Sequence, residues 1–474
     1  MSEGRAAGSV VFIVVGLGYG DEGKGSIVDW LVRRHGAKLV VRFNGGPQAA
    51  HHVVSPEGVT HCFSQFGAGT LVPGVGSHLS RFVAVDPLAL EREEGALIAA
   101  GVDDAFERWS VDPRCVVVTP FHAACNRVQE IARGGARHGS CGLGVGQALL
   151  DAERPGLPAL RVGDTLDEER AQRTLRLLRL TKLDLAEQLA AGLPSSPALD
   201  RELWRLRDDS TGPLAAAYAA VVRRAGLRVA ELSSLASGTI VFEGAQGVLL
   251  DRSHGFFPFV TPSRTTFEQA LSVLAERGFE GSVVRIGVLR AYSTRHGAGP
   301  FVTEDRELTA ARPDRHNLAH DYQGGFRVGW FDAVAARYAV RACGGVDGVA
   351  ITNVDRLAGL GPVKVCTAYE LDGAAHIEEK LRGRVVAERF GNRTVINDIL
   401  PAQDAPFDER EALTALILAC RPRYVTLPGW TSSEDAAARS FLGFLADVLG
   451  APVSVASFGP SALDKIELDA ASAT

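Results

Sequence analysis

The sequence predicts an α/β protein with a P-loop-like, mostly parallel central sheet flanked by helices, a helical subdomain and a small β-rich excursion. Three observations carry that expectation. Val11–Asp29 reads as a buried strand, a glycine-dense turn and the opening of a helix. Strand-like apolar runs alternate with helical patterns from residue 11 to about 125, as the βαβ units of a parallel sheet require. From 165 to 230 the composition shifts to Leu, Ala, Arg and Glu, with Leu175, Leu178, Leu185 and Leu189 at helical spacing.

In the first unit, Val11–Val15 are five consecutive apolar residues, the pattern of a strand buried on both faces. Glycines follow at 16, 18, 20, 23 and 25, and the helix is expected to open at Ser26. A strand that feeds a glycine turn and a helix N-terminus makes a phosphate site, because unpaired backbone N–H groups and the helix dipole converge there. Gly18-x4-Gly23-Lys24 fits the P-loop spacing, with Lys24 placed to meet terminal phosphates. Gly25 stands where a Mg²⁺-binding Ser or Thr belongs, and Asp21 puts a carboxylate inside the turn.

Further strands are expected at Lys38–Phe43, Val83–Val85 and Cys115–Thr119. The segment 165–230 reads as a helical subdomain or cap broken near Gly192–Pro197, its arginines a solvated face. The sheet pattern returns at Thr239–Phe242, Ser282–Leu289, Gly348–Thr352 and Arg423–Leu427. Residues 305–328 form a long polar loop, a common place for substrate contacts, and 361–400 the β-rich excursion.

The totals narrow the function classes. A length of 474 residues allows one large α/β unit or two to three domains. A formal charge of −6 leaves no electrostatic footprint for nucleic acid. Seven cysteines, scattered without a CxxC pair, point to reduced thiols in the cytoplasm and not to disulfides or zinc. Residues 1–10 lack the apolar core of a signal peptide, and no run of about 18 apolar residues suggests a membrane span.

Three more clusters follow strands. Val41–Val54 carries Gly45-Gly46 and His51-His52, Val241–Thr266 carries Glu243, Gln246, Asp251 and His254, and Arg290–Glu304 carries Gly, Arg and Thr. Four such loops suggest one crevice at the carboxyl edge of the sheet. Each glycine taken alone could simply make a tight turn. A dinucleotide-binding reading of Gly18-x-Gly20-x-x-Gly23 needs an acid at the end of the second strand, which here ends Val41-Arg42-Phe43-Asn44.

Together these stretches resemble the adenylosuccinate synthetase family. Gly20–Gly25, Gly45–His51, Phe242–Gly247 and Ser293–Glu304 match its motifs in order, as do His138–Gly146, Gly329–Val334, Thr352–Leu360, Val363–Tyr369, Pro428–Trp430 and Ser457–Pro460. The resemblance covers residues 11 to about 460 and implies one domain, 1–474, and a homodimer that binds neither nucleic acid nor membrane. It implies a GTP-dependent ligase, with ATP as the other candidate donor. GTP phosphorylates the 6-oxo group of IMP or a similar acceptor, and an amine, aspartate or another amino acid, displaces the phosphate. By the same resemblance Asp21 is the base and a Mg²⁺ ligand, with the Ala50 carbonyl as a second. His51 is the general acid, Lys24 and Gly20, Glu22, Gly23 and Gly25 hold phosphate, and Gln246 lies at the 6-oxo edge. Asn353, Asp355, Ser457 and Gly459 take the guanine, while Gln48, Ser140, Cys141, Arg154 and Thr261 take the acceptor nucleotide.

The departures fall on the substrate grips. Where the family has an arginine cluster before Gly-Trp, this chain reads Asp321-Tyr-Gln-Gly-Gly-Phe-Arg-Val, which leaves Arg327 alone, with Arg312, Arg315, His316 and His320 elsewhere in the loop. Cys141 replaces a phosphate-binding hydroxyl, Leu143 an arginine, and His296 a small apolar residue near the ribose. These changes suggest a diverged paralogue with another acceptor or amine, or a nucleotide-binding protein without turnover. Retention of both Asp21 and His51 argues against the last, since binding alone needs no acid–base pair.

Overall fold

The computed structural model describes residues 9–224, 228–229, 232, 238–314, 322–372 and 377–468. Residues 315–321 of the polar loop, and with them Arg315, His316, His320 and Asp321, lie outside the described residues.

The strand Val10–Gly16 sits in the interior of a ten-stranded sheet. The sheet runs Lys465–Glu467, Val453–Ser457, Gly348–Thr352, Ser282–Arg290, Val10–Gly16, Ile240–Gly247, Leu39–Arg42, Gly76–Leu79, Trp109–Val111, Arg228–Val229. Every neighbour pair is parallel except Lys465–Glu467. The apolar run from Val11 therefore has two faces to bury. Val11, Ile13 and Val15 join one core with Phe242 and Tyr338, while Phe12 and Val14 join the other with Ile27, Val28 and Leu31.

The first helix spans Lys24–His35 and begins two residues before the expected Ser26. Gly23 at φ 88° turns the chain directly into it, and Gly36 at φ 60° ends it. Between 165 and 224 lie the helices Glu168–Ala190, Pro197–Arg207 and Thr211–Arg223, the first two capped by the side chains of Asp167 and Ser196. Leu175 and Leu178 are buried in the core, and exposed arginines such as Arg173 pair with Glu169 along the outer face.

Two expectations are corrected. The strand at 423–427 does not belong to the central sheet. Arg421–Leu427 pairs antiparallel with Val363–Asp372 in a second sheet that also holds Phe331–Asp332, Val385–Phe390 and Arg393–Ile399. Its alternating exposure is that of a half-covered antiparallel strand, unlike the fully buried central ones. The parallel edge position is taken instead by Val453–Ser457. The short strands Ala84–Val85 and Val116–Val117 pair with each other and not with the central sheet. The second sheet shares its core with the central one, since Val363, Val365 and Ile396 pack in the same cluster as Val11 and Ile13.

Candidate active site

The loops at the carboxyl ends of six central strands converge on one cavity of about 1470 Å³. Its floor is the glycine turn. Glu22 lies beneath that turn and not in the cavity wall: its carboxylate accepts the N–H groups of Gly18 (3.0 Å) and Gly20 (2.7 Å) and pairs with Lys24 Nζ at 2.6 Å. A Cβ at Gly16 would fall 2.2 Å from the Glu22 carboxylate, and one at Gly247 would fall 2.2 Å from the Gly18 carbonyl. Glycines at 16 and 247 thus make room for a buried anion that holds Lys24 in place. Gly25 has its own steric reason. A Cβ there would fall 2.8 Å from the Cβ of His51, so a Ser or Thr would push the helix away from the strand His51–Val54.

Asp21 stands at the tip of the turn with φ 60°. Its backbone carbonyl accepts from Arg290 Nε, while no hydrogen bond from a described residue occupies its carboxylate. Burial pushes that carboxyl above the ordinary aspartate range, against the pull of Arg290 and His296. Only four described residues other than glycine have positive φ, and Asp21, Gln246 and Asn353 are three of them. All three line the cavity, so left-handed backbone is concentrated where side chains must be aimed. Gln246 Oε1, Gln48 Oε1 and His296 Nδ1 are buried without a partner, leaving three polar atoms of the wall for a ligand.

His51 lines the cavity with Asp21 and Lys24, and its Nδ1 lies 2.5 Å from Glu243 Oε1. Glu243 can only accept, so Nδ1 carries the proton and Nε2 is left for the cavity. Burial drives the imidazole down to about 4, against the upward pull of Glu243, and the ring is neutral at pH 7.

Asn353, Asp355, Ser457 and Gly459 also line the cavity, and there Ser457 Oγ and Lys465 Nζ both donate to the Gly459 carbonyl at 2.9 Å. Burial raises the Asp355 carboxyl. Gln48, Ala50, Ser140, Cys141, Arg154 and Thr261 line the cavity too, together with Gly20, Gly23 and Gly25 of the floor. Ser140 Oγ donates to Asn126 Oδ1 at 2.6 Å, and burial raises the Cys141 thiol. Arg327 does not line the cavity. It pairs with Glu304 at 2.8 Å and donates to the Gly299 carbonyl at 3.0 Å.

Sequence reasoning named Arg290 and Arg295 only as part of a loop. Arg290 ties the Asp21 carbonyl to Asp314, 3.5 Å away, and Arg295 stacks over Tyr19 at 4.2 Å while holding the carbonyls of Ala298 and Pro300. For Arg290 the available signal was a charged residue closing the apolar run Ile286–Leu289, where the strand meets its loop.

Comparison with known proteins places this geometry. The adenylosuccinate synthetase family model matches residues 13–390. An adenylosuccinate synthetase of Neisseria gonorrhoeae is 32% identical over 469 residues, covering 96% of this chain and 98% of that protein. A fully ligated adenylosuccinate synthetase from Plasmodium falciparum has the same fold, with a TM-score of 0.75 at 21% identity over 98% of this chain and 100% of that one. A cyanophage S-2L succinoaminodeoxyadenylate synthetase bound to dGMP and dATP shares the fold more loosely, with a TM-score of 0.56 at 16% identity over 98% and 97% of the two chains.

Proposed function

This chain belongs to the adenylosuccinate synthetase family and is a GTP-dependent carbon–nitrogen ligase, and on that premise we propose that it joins aspartate, or a related amino acid, to the 6-position of IMP. The supporting observation is that Asp21, His51, Lys24 and Gln246, delivered by three separate segments of the chain, line one cavity at the glycine turn. Asp21 takes the N1 proton of the base, and O6 attacks the γ-phosphorus of GTP with GDP as leaving group. The amine then attacks C6, the C–O bond breaks, and phosphate leaves as the C–N bond forms. A carboxyl raised by burial is a suitable base near neutral pH.

Lys24 and the turn N–H groups neutralise phosphate charge, which dominates the catalysis of such transfers. Negative charge arriving with the nucleotide raises the proton affinity of His51, so that Nε2 carries a proton for the transferring phosphoryl oxygen. Gln246 orients the 6-oxo edge. Gln48, Ser140, Cys141, Arg154 and Thr261 hold the acceptor's phosphate and sugar, and Asn353, Asp355, Ser457 and Gly459 the guanine. ATP is the other candidate donor.

The donor set fits Mg²⁺. The Asp21 carboxylate is free of hydrogen bonds from described residues, and no cage of three or more His, Cys, Asp or Glu side chains occurs among them. One carboxylate with the Ala50 carbonyl and substrate phosphates suits an ion that keeps several waters. Bound there, it would neutralise charge on the phosphate oxygens.

Arg327 supports a second reading of the amine. Its guanidinium is committed to Glu304, so gripping an amino acid carboxylate means exchanging one anion for another. A different amine partner from aspartate fits that arrangement. No helix among the described residues is long and apolar enough to cross a membrane. The seven cysteines are free thiols, which suits a cytoplasmic enzyme, and a homodimer is the expected assembly.

Phosphate release from GTP or ATP, with IMP and other 6-oxopurine nucleotides against a panel of amino acids, tests the reading. Robust turnover with IMP and aspartate, lost in Asp21→Ala, is the expected result. Turnover unchanged in Asp21→Ala removes the mechanism.

A further inference from the structure

Glu243 of the motif Phe242–Gly247 touches His51 and does not line the cavity, and its setting is unusual. It lies on Ile240–Gly247, between Val10–Gly16 and Leu39–Arg42, where its register partners are Val14 and Arg42. Glu243 is fully buried and Arg42 nearly so. An ionised carboxylate in the middle of a parallel sheet is costly unless every lone pair is matched. Here each oxygen has a hydrogen-bond partner and a cation lies nearby: Oε1 meets His51 Nδ1 at 2.5 Å, Oε2 accepts the Ala68 N–H at 2.9 Å, and Arg42 Nε stands 3.9 Å from Oε2 without a hydrogen bond of its own. Arg42 is itself pinned by the carbonyls of Ser64 and Phe66 at 3.1 and 3.2 Å.

We propose that Glu243 is a positioning residue for phosphoryl transfer: it fixes His51 in the Nδ1–H tautomer and aims Nε2 at the transferring phosphoryl oxygen. The proposal rests on the reading of His51 as the general acid. The chain Arg42–Glu243–His51 has the logic of a carboxylate that orients a catalytic imidazole, as in hydrolase triads. The strand that carries Glu243 also delivers Gln246, so one element sets both the acid and the contact to the 6-oxo edge. The charged groups bearing on the ring are Glu243, Arg42 and Lys24. Of these only Glu243 touches the ring, at Nδ1, which makes it the group whose removal should be felt in kcat.

The test is a double-mutant cycle on the full-length enzyme with GTP, IMP and the best amine from the screen. Glu243→Gln keeps the size of the side chain and removes the charge. It is expected to lower kcat on the order of 10²-fold, as loss of a positioned acid does, with KM for GTP changed less than about threefold. Adding it to His51→Ala should cost nothing further, because the two residues act as one unit. A merely structural Glu243 would lower the activity of His51→Ala by the same factor as it lowers wild type, and that result overturns the proposal, as does an unchanged kcat in Glu243→Gln. Full activity in His51→Ala would instead sink the general-acid reading on which the proposal rests. If Glu243→Gln does not fold, nitrogen-15 histidine spectra of the wild-type protein decide: His51 protonated on Nδ1 and bare on Nε2 supports the proposal, and the opposite tautomer overturns it.

Discussion

The turn Gly18–Gly25 and the polar loop that ends in Phe326–Gly329 are both sequence segments tied to substrate, yet they are held in opposite ways. The turn is built from backbone and buried atoms: Glu22 under it, Gly16 and Gly247 against it, Thr352 donating to the Glu22 carbonyl from the end of the strand Gly348–Thr352. The loop is anchored through side chains, Arg327 on the partly exposed Glu304 and Arg290, largely buried, on Asp314. A site made of backbone N–H groups tolerates few sequences. A site made of side chains on a half-exposed strand can be rewritten without disturbing the core. The chemistry is therefore rigid and the choice of amine is open to change, and each substitution below strains that contrast.

The largest effect is expected at Asp21. Asp21→Asn should lower kcat about 10²- to 10⁴-fold, the range for a lost general base, in phosphate-release assays. Its carboxyl is raised in the folded state, so the native protein binds this proton more tightly than the unfolded chain. Stability from that proton is present below the unfolded pKa and is lost as pH rises through the folded one. At pH 7 Asp21→Asn should thus melt at a higher temperature than wild type, with the gap closing as pH falls. A lower melting temperature at pH 7 would contradict the account of a strained, buried base.

Glu22→Ala comes next. It leaves Lys24, 3% exposed, without its counter-charge, which costs about 3–5 kcal/mol for a buried pair broken on one side. Urea unfolding measures it, and a loss under 1 kcal/mol would mean the turn does not rest on Glu22. Gly247→Ala should cost about 1–3 kcal/mol, the usual price of overpacking, since its Cβ meets the Gly18 carbonyl, a backbone atom that cannot rotate away. Arg327→Ala is the mildest. A partly exposed ion pair contributes less than about 1 kcal/mol, and KM for the amine should rise less than about tenfold because Glu304 competes for the guanidinium. A much larger rise would make Arg327 a dedicated carboxylate grip.

How much of this could be read from the chain follows the same division. The turn, the later strand-end loops and their meeting in one crevice were legible, because glycine spacing and apolar runs are local signals. Strand partnership was not. Arg421–Leu427 and Val453–Ser457 are both short and β-prone, and only tertiary pairing puts the second in the central sheet and the first outside it. The inward aim of Glu22 depends on room left by Gly247, more than two hundred residues away, so no local pattern could show it. Arg290 was hidden for a related reason, since its carbonyl partner at Asp21 and its anion at Asp314 come from different loops.

The central claim is that the turn transfers phosphate whatever amine the loop accepts. Positional isotope exchange tests it without an amine. With GTP labelled by oxygen-18 in the β,γ-bridge and IMP as acceptor, the label should scramble into the β-nonbridging positions as O6 reversibly takes the phosphoryl group. Scrambling that needs the acceptor and vanishes in Asp21→Asn is the predicted result. Scrambling that persists in Asp21→Asn, or none with any 6-oxopurine nucleotide, would contradict it.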